Sequence, residues 1–142
     1  MRMLVPSLVI GLAGLANADC PAPVRQAIDK AFPKSSISKC APEKEHGRDQ
    51  FEVVLVRAGG GRVEADVAPD GKILLVEEPI ALDQVPAAVM KAFAARYPKA
   101  KATSAQRQTP TGGAPTYELA FAIDSKRREA TFTTTGTFVE EE

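Results

Sequence analysis

The chain has one histidine, two cysteines and no net charge, and each shortage closes off a class of function. One histidine and two cysteines cannot supply a zinc tetrad. No D-x-D-x-D-G run gathers the oxygens that a calcium loop needs. The zero formal charge gives no electrostatic reason to expect nucleic acid or an anionic membrane as partner. The basic cluster Lys126 to Glu129 ("KRRE") is short and has no interleaved aromatics, so it reads as a solvated turn. "AGGG" (Ala58 to Gly61) and "TGGA" (Thr111 to Ala114) lack the GxxxxGK and GxGxxG patterns and lead into no helix. His46, inside "EKEHGRDQ", is tied to no nucleophile or metal, as a catalytic base must be, and reads as a loop residue. The expectation is a non-enzymatic protein without a cofactor or metal.

Long apolar runs are also missing. The longest, Leu4 to Leu15, falls short of the ~20 residues that a spanning helix needs. With Arg2 before it and the small residues Ala16 to Ala18 after it, it reads as a signal peptide, residues 1–18. A buried N-terminal helix is the alternative. Cleavage would leave Asp19 to Glu142, in the periplasm or outside the cell. A lipid anchor on Cys20 is a second alternative, though Asp19 precedes that cysteine where a lipobox wants a small residue. Export would put Cys20 and Cys40 in an oxidising compartment, where they are expected to form a structural disulfide. No CxxC spacing favours a redox role.

What the chain does have is an echo. "PAPVRQAIDKAFPK" (Pro21 to Lys34) returns as "PAAVMKAFAARYPK" (Pro86 to Lys99) at an offset of 65. Arg62, Glu64, Ala65 and Gly71 meet Arg127, Glu129, Ala130 and Gly136 at the same offset. The spread of matches suggests a tandem duplication, residues 19–80 and 81–142. Val24, Ala27, Ile28 and Ala31 make one apolar stripe at helical period, and Val85, Val89, Ala92, Phe93 and Tyr97 make another. Pro33 and Pro98 stop these helices. The period then falls to two, with strands predicted over 51–56, 62–68 and 72–78, broken by Gly-rich and Asp-Gly turns. "YELAFAI", "REATFT" and "TFVEEE" follow the second helix. Weaker strands are expected over 35–41 and 101–107. The fold class expected is α+β: two tandem repeats, each one helix followed by up to four antiparallel strands, forming one sheet with the helices on one face.

Alternation sorts the strand faces. Phe51, Val53, Leu55, Val63, Ala65, Val67, Ile73 and Leu75 are expected under the helices, as are Tyr117, Leu119, Phe121, Ile123, Ala130, Phe132 and Phe138. The opposite face should carry Glu52, Arg62, Glu64, Asp66 and Lys72, then Glu118, Arg127, Glu129, Thr131 and Thr133. Leu74, Val76 and Val139 are assigned to that face too. Arg62 and Arg127 suggest cross-strand ion pairs with its glutamates.

The helix "VPAAVMKAFAARYPKAK", then "YELAF", then strands around a Gly turn, resembles the exported PepSY-like group. The tandem arrangement is similar to the β-lactamase-inhibitor-protein-like fold. The resemblance implies that the protein binds or inhibits another exported protein, with an enzyme as one such target, through the exposed sheet face. The candidate partner-binding residues are Glu52, Arg62, Glu64, Asp66, Lys72, Leu74, Val76, Glu118, Arg127, Glu129 and Val139. Apolar residues among charges are what such a patch needs. The alternative reading is a periplasmic small-molecule or ion binder.

Overall fold

The computed structural model describes residues 20–142. The signal peptide expected over residues 1–18 lies outside them.

Helix α1 (Ala22–Ala31) starts behind Pro21 and carries a proline in its first turn, where a missing N–H costs nothing. It stops before Pro33. Lys30 in its last turn complements the helix dipole. Four strands follow: β1 (Ser36–Glu45), β2 (Arg48–Val56), β3 (Arg62–Val67) and β4 (Ile73–Ile80). A 3-10 turn at Leu82–Gln84 leads into α2 (Ala87–Arg96), then β5 (Ser104–Pro110), β6 (Thr116–Ile123), β7 (Lys126–Thr133) and β8 (Phe138–Glu141).

All eight strands pair antiparallel with their sequence neighbours in a single sheet of order β1 to β8. This corrects the fold expectation. The molecule is one eight-stranded antiparallel sheet with two helices, mostly sheet though α+β overall, rather than two tandem helix-plus-strand repeats. The finding that decides it is the ladder between β4 and β5, unbroken from Leu75↔Pro110 to Ile80↔Ala105. Backbone hydrogen bonding therefore runs through the middle of the chain without a seam. The stretch expected as a weak first strand is the longest of all, at 10 residues.

The helices cover one face. Val24 and Ile28 of α1 are fully buried with Val53, Leu55, Val63, Ala65 and Val67. Val89 and Phe93 of α2 are buried with Leu119, Phe121, Ala130 and Phe132. Each such side chain contributes about 1.5–3 kcal/mol by leaving water. Phe93 packs its ring against those of Tyr97, Phe121 and Phe132 at centroid distances of 5.3, 5.2 and 6.4 Å. Between the two clusters, on the same face, Glu78 takes hydrogen bonds from Arg57 and Arg107. Those guanidinium groups, Arg107 foremost, hold the Glu78 carboxyl below the usual carboxylate range.

Cys20 and Cys40 form the expected disulfide, with Cα atoms 5.5 Å apart. It ties the residue before α1 to β1, and both cysteines are buried.

Two bulges set which side chains face where. At β3–β4 the register steps from Asp66↔Leu75 to Val67↔Ile73, skipping Leu74. One extra residue inverts the alternation beyond it. Ile73 keeps its expected place against the core, but Leu75 moves to the open face. Val76, assigned by alternation to the open face, packs against the core instead. At β7–β8 the step from Thr131↔Glu140 to Phe132↔Phe138 leaves Val139 in the bulge, 48% exposed.

Candidate functional site

The face opposite the helices has no element over it among the described residues. Its centre is a basin of about 410 Å³. The basin's walls come from almost the whole width of the sheet: Glu43 and Glu45 of β1, Gln50 and Glu52 of β2, Glu64 and Asp66 of β3, Leu74, Leu75 and Glu77 of β4, Gln108 and Pro110 of β5, Glu118 of β6, and Glu140 and Glu142 at the β8 end. The only basic groups among the lining residues are Arg48 and His46.

Register explains the gathering. Glu64 lies opposite Glu77, Asp66 opposite Leu75, and Glu77 opposite Gln108. Gln108 lies opposite Thr116, and Glu118 opposite Thr131. Same-face neighbours on adjacent strands are about 5 Å apart at Cβ. The Nε2 of Gln108 donates to Glu77 Oε1 at 3.0 Å and to Glu118 Oε2 at 3.1 Å. Its own Oε1 accepts from Thr116 Oγ1 at 3.0 Å, so the amide is held in orientation. Gln50, 3% exposed, donates to Glu43 at 2.7 Å.

Three carboxyls here are displaced upward. Burial, then the Asp66 charge, pushes Glu77 up to about 7 against the opposing hydrogen bond from Gln108. Burial, then the Glu129 and Glu77 charges, raises Glu118 to about 7. Asp66 rises to about 6 through burial and then Glu43. None of the three has an ion-pair partner among the described residues. A like-charged, half-buried group without a counter-ion is held partly in its neutral form.

The charges that are paired sit toward the flanks. Glu64 pairs with Arg62 and Glu129 with Arg127, each two residues away on the same strand. The expected cross-strand pairing of those arginines is thus replaced by pairing along the strand. Glu52 pairs with Lys39 of β1. His46 sits in the β1–β2 turn with its side chain 73% exposed, beside Glu45.

Of the residues singled out by sequence, Glu52, Glu64, Asp66, Leu74 and Glu118 line the basin. Arg62, Arg127 and Glu129 stand on the same face beyond it. Lys72 is in the β3–β4 turn, where its N–H bonds to Asp70. Val76 is turned to the core, and Val139 is at the sheet edge. Sequence reading missed Glu77, Gln108, Leu75, Glu140 and Glu142. Alternation along Ser104–Pro110 carried a signal for Gln108, but no glycine or proline marks the bulge that brings Leu75 and Glu77 to this side. Among the described residues no group of three or more His, Cys, Asp or Glu is placed to hold a metal ion.

The zero net charge hides a segregation. Residues 21–34 and 86–101, which contain both helices, hold seven basic residues and one acidic one, Asp29. The basin holds the opposite sign.

No protein-family model matches the sequence, and no curated protein matches it. Solved structures share the fold. A protein from Bacteroides eggerthii, provisionally described as periplasmic, superposes with a TM-score of 0.69 at 20% identity, covering 87% of this chain and 88% of its own. A DUF2874 family protein from Bacteroides uniformis gives 0.68 at 17% identity over 87% and 88% of the two chains. A BLIP-like protein from Bacteroides fragilis gives 0.63 at 15% identity over 86% and 85%. The fold is therefore BLIP-like. None of these three is described as PepSY-like. No helix among the described residues is long and apolar enough to cross a membrane. A periplasmic location agrees with the first of these descriptions.

Proposed function

We propose that this is an exported binding module that docks another protein on its open sheet face. The observation that carries the reading is the asymmetry of the sheet. Helices bury one face, while the other holds a basin of about 410 Å³ whose floor includes half-buried Leu74 and Leu75 among polar groups. Half-buried apolar and carboxyl groups on an uncovered sheet are the composition of an interface core and its rim. The BLIP-like protein from Bacteroides fragilis shares the fold that presents such an open face. Docking is steric: a preformed rigid surface covers or stabilises its partner, with no bond made or broken in either.

The test is site-specific photo-cross-linking in the native compartment. Probes at Glu64 and Glu118, on the open face, are expected to capture one defined partner, and a probe at Asp29 on α1 is not. Capture from Asp29 alone would overturn the reading.

A further inference from the structure

We propose that a cleft beside the end of α1 binds an amphiphilic anion, an acyl or aryl chain that ends in a carboxylate or a phosphate. The cleft holds about 440 Å³, inside the range of about 300–1,000 Å³ usual for small-molecule sites. It shares no residue with the acidic basin, so the site stands apart from docking on the open face.

The two halves of the chain show what makes room for it. Phe32-Pro33-Lys34 after α1 corresponds to Tyr97-Pro98-Lys99 after α2. Tyr97 is buried, with its ring centroid 5.3 Å from that of Phe93 and 4.4 Å from that of Phe121. Its hydroxyl donates to Glu141 at 2.6 Å. Phe32 is only half-buried and makes no ring contact among the described residues. The adjoining connections differ too. Residues 124–125 join β6 to β7 in a tight turn, while the longer stretch 57–61 joins β2 to β3. Ala58 and Gly59 of that longer stretch form one wall of the cleft, and Phe32 and Pro33 form the other.

The lining has two characters. Phe32, Pro33 and Ala58 are apolar, and a ligand's chain gains by leaving water against them. Lys34 and Arg57 are the charged groups, and no carboxylate lines the cleft. The Lys34 ammonium makes no ion pair or hydrogen bond among the described residues. Arg57 and Arg107 share the one carboxylate of Glu78, which leaves positive charge over. The N–H groups of Ala58 and Gly59 make no hydrogen bond among the described residues, and they add uncommitted donors. Cations and free N–H donors suit an anion. A bare inorganic anion would leave Phe32 wet, and a neutral apolar molecule would leave Lys34 unpaired. An amphiphilic anion satisfies both.

The experiment titrates the exported protein with decanoate and follows its backbone amides by NMR. Saturable shifts are expected at Phe32, Lys34, Ala58 and Gly59. Decan-1-ol, with the same chain and no charge, is expected to bind roughly tenfold more weakly. Acetate, with the charge and no chain, is expected to give no saturable shift. K34Q should weaken decanoate binding roughly tenfold, whereas K99Q, the same change after the equivalent proline, should leave it unaltered. A58F places a ring in the cleft and should abolish binding while keeping the wild-type melting temperature. Decyl phosphate is titrated beside decanoate; saturation of the cleft by either supports the proposal and tells which headgroup is preferred. Decanoate shifts confined to other parts of the chain overturn it. So do K34Q binding as wild type does, decan-1-ol or acetate matching decanoate, and undiminished binding by A58F. Cross-linking from Glu64 and Glu118 is expected to be unchanged in A58F, so the two sites stand or fall separately.

Discussion

Glu77 on β4 and Glu118 on β6 share a single hydrogen-bond donor, the side-chain amide of Gln108 on the strand between them. One amide cannot neutralise two charges. Burial, joined by the Asp66 charge at Glu77 and the Glu129 charge at Glu118, therefore raises both carboxyls to about 7. Both shifts can be read from the dependence of stability on pH.

Stability should fall as pH rises. In the unfolded chain these carboxyls ionise near the ordinary glutamate value, and in the folded protein Glu77 and Glu118 do so at about 7 and Asp66 at about 6. A folded-state value raised above the unfolded one contributes stability that is complete below the unfolded value and lost as pH climbs through the folded one. The melting temperature is thus expected to drop between pH 5 and pH 8. At pH 8 E77Q/E118Q should be the more stable protein, by about 1–2 kcal/mol per site once solvent screening is allowed for. A wild-type melting temperature flat across this range would contradict the electrostatic account.

Opening the disulfide should be expensive. Cys20 and Cys40 are 20 residues apart, and closing a loop of that size contributes about 3 kcal/mol in the chain-entropy description. C20S/C40S is expected to melt roughly 10 °C lower than wild type in the absence of reductant. Dithiothreitol should lower the wild type by a similar amount and leave the variant unmoved. Identical melting of the two proteins without reductant would show that the bridge does not constrain the chain.

The aromatic cluster under α2 is the costliest place to make a hole. Phe93 is 3% exposed and touches three other rings. F93A is expected to cost about 3–5 kcal/mol in urea unfolding. V139D, at an edge position 48% exposed, should stay within about 0.5 kcal/mol of wild type. Comparable losses in the two variants would mean that the core has been misplaced.

Gly136 is required by the approach of a turn to a helix. Its φ is +89°, and a Cβ there would stand 2.6 Å from the carbonyl oxygen of Ala88 in α2. G136A combines left-handed strain with a backbone clash and should cost about 2 kcal/mol or more by chemical denaturation. G60A is the control: its φ of +90° is as strained, but nothing lies within 4 Å of the added carbon. It should lose less. Equal losses would assign the whole effect to backbone conformation.

Local order was legible in the residues. Helical stripes ending at Pro33 and Pro98, period-two strands and glycine turns all depend on neighbours a few positions apart, and both helices and every later hairpin follow from them. The core side of β6 and β7 came out as alternation predicts, because nothing interrupts the pairing of Thr116↔Thr133 through Ile123↔Lys126. Likewise Cys20 and Cys40 announced their bond.

Three things were decided only by tertiary structure. The echo between the two halves suggested separate units, but the β4–β5 ladder joins distant segments into one sheet, and hydrogen-bond partners that far apart leave no local periodicity. The bulge at Leu74 turned Leu75 and Glu77 to the open face and Val76 to the core. It arises from how β4 must fit β3, with no turn residue to mark it. Finally, Glu77, Gln108 and Glu118 read in sequence as ordinary solvated polar residues. Their unusual charge state is created by desolvation on a shared sheet face, and desolvation depends on what else is near. Composition and spacing determined the pieces and their amphipathic faces, and the assembled sheet decided which carboxylates meet without a counter-ion.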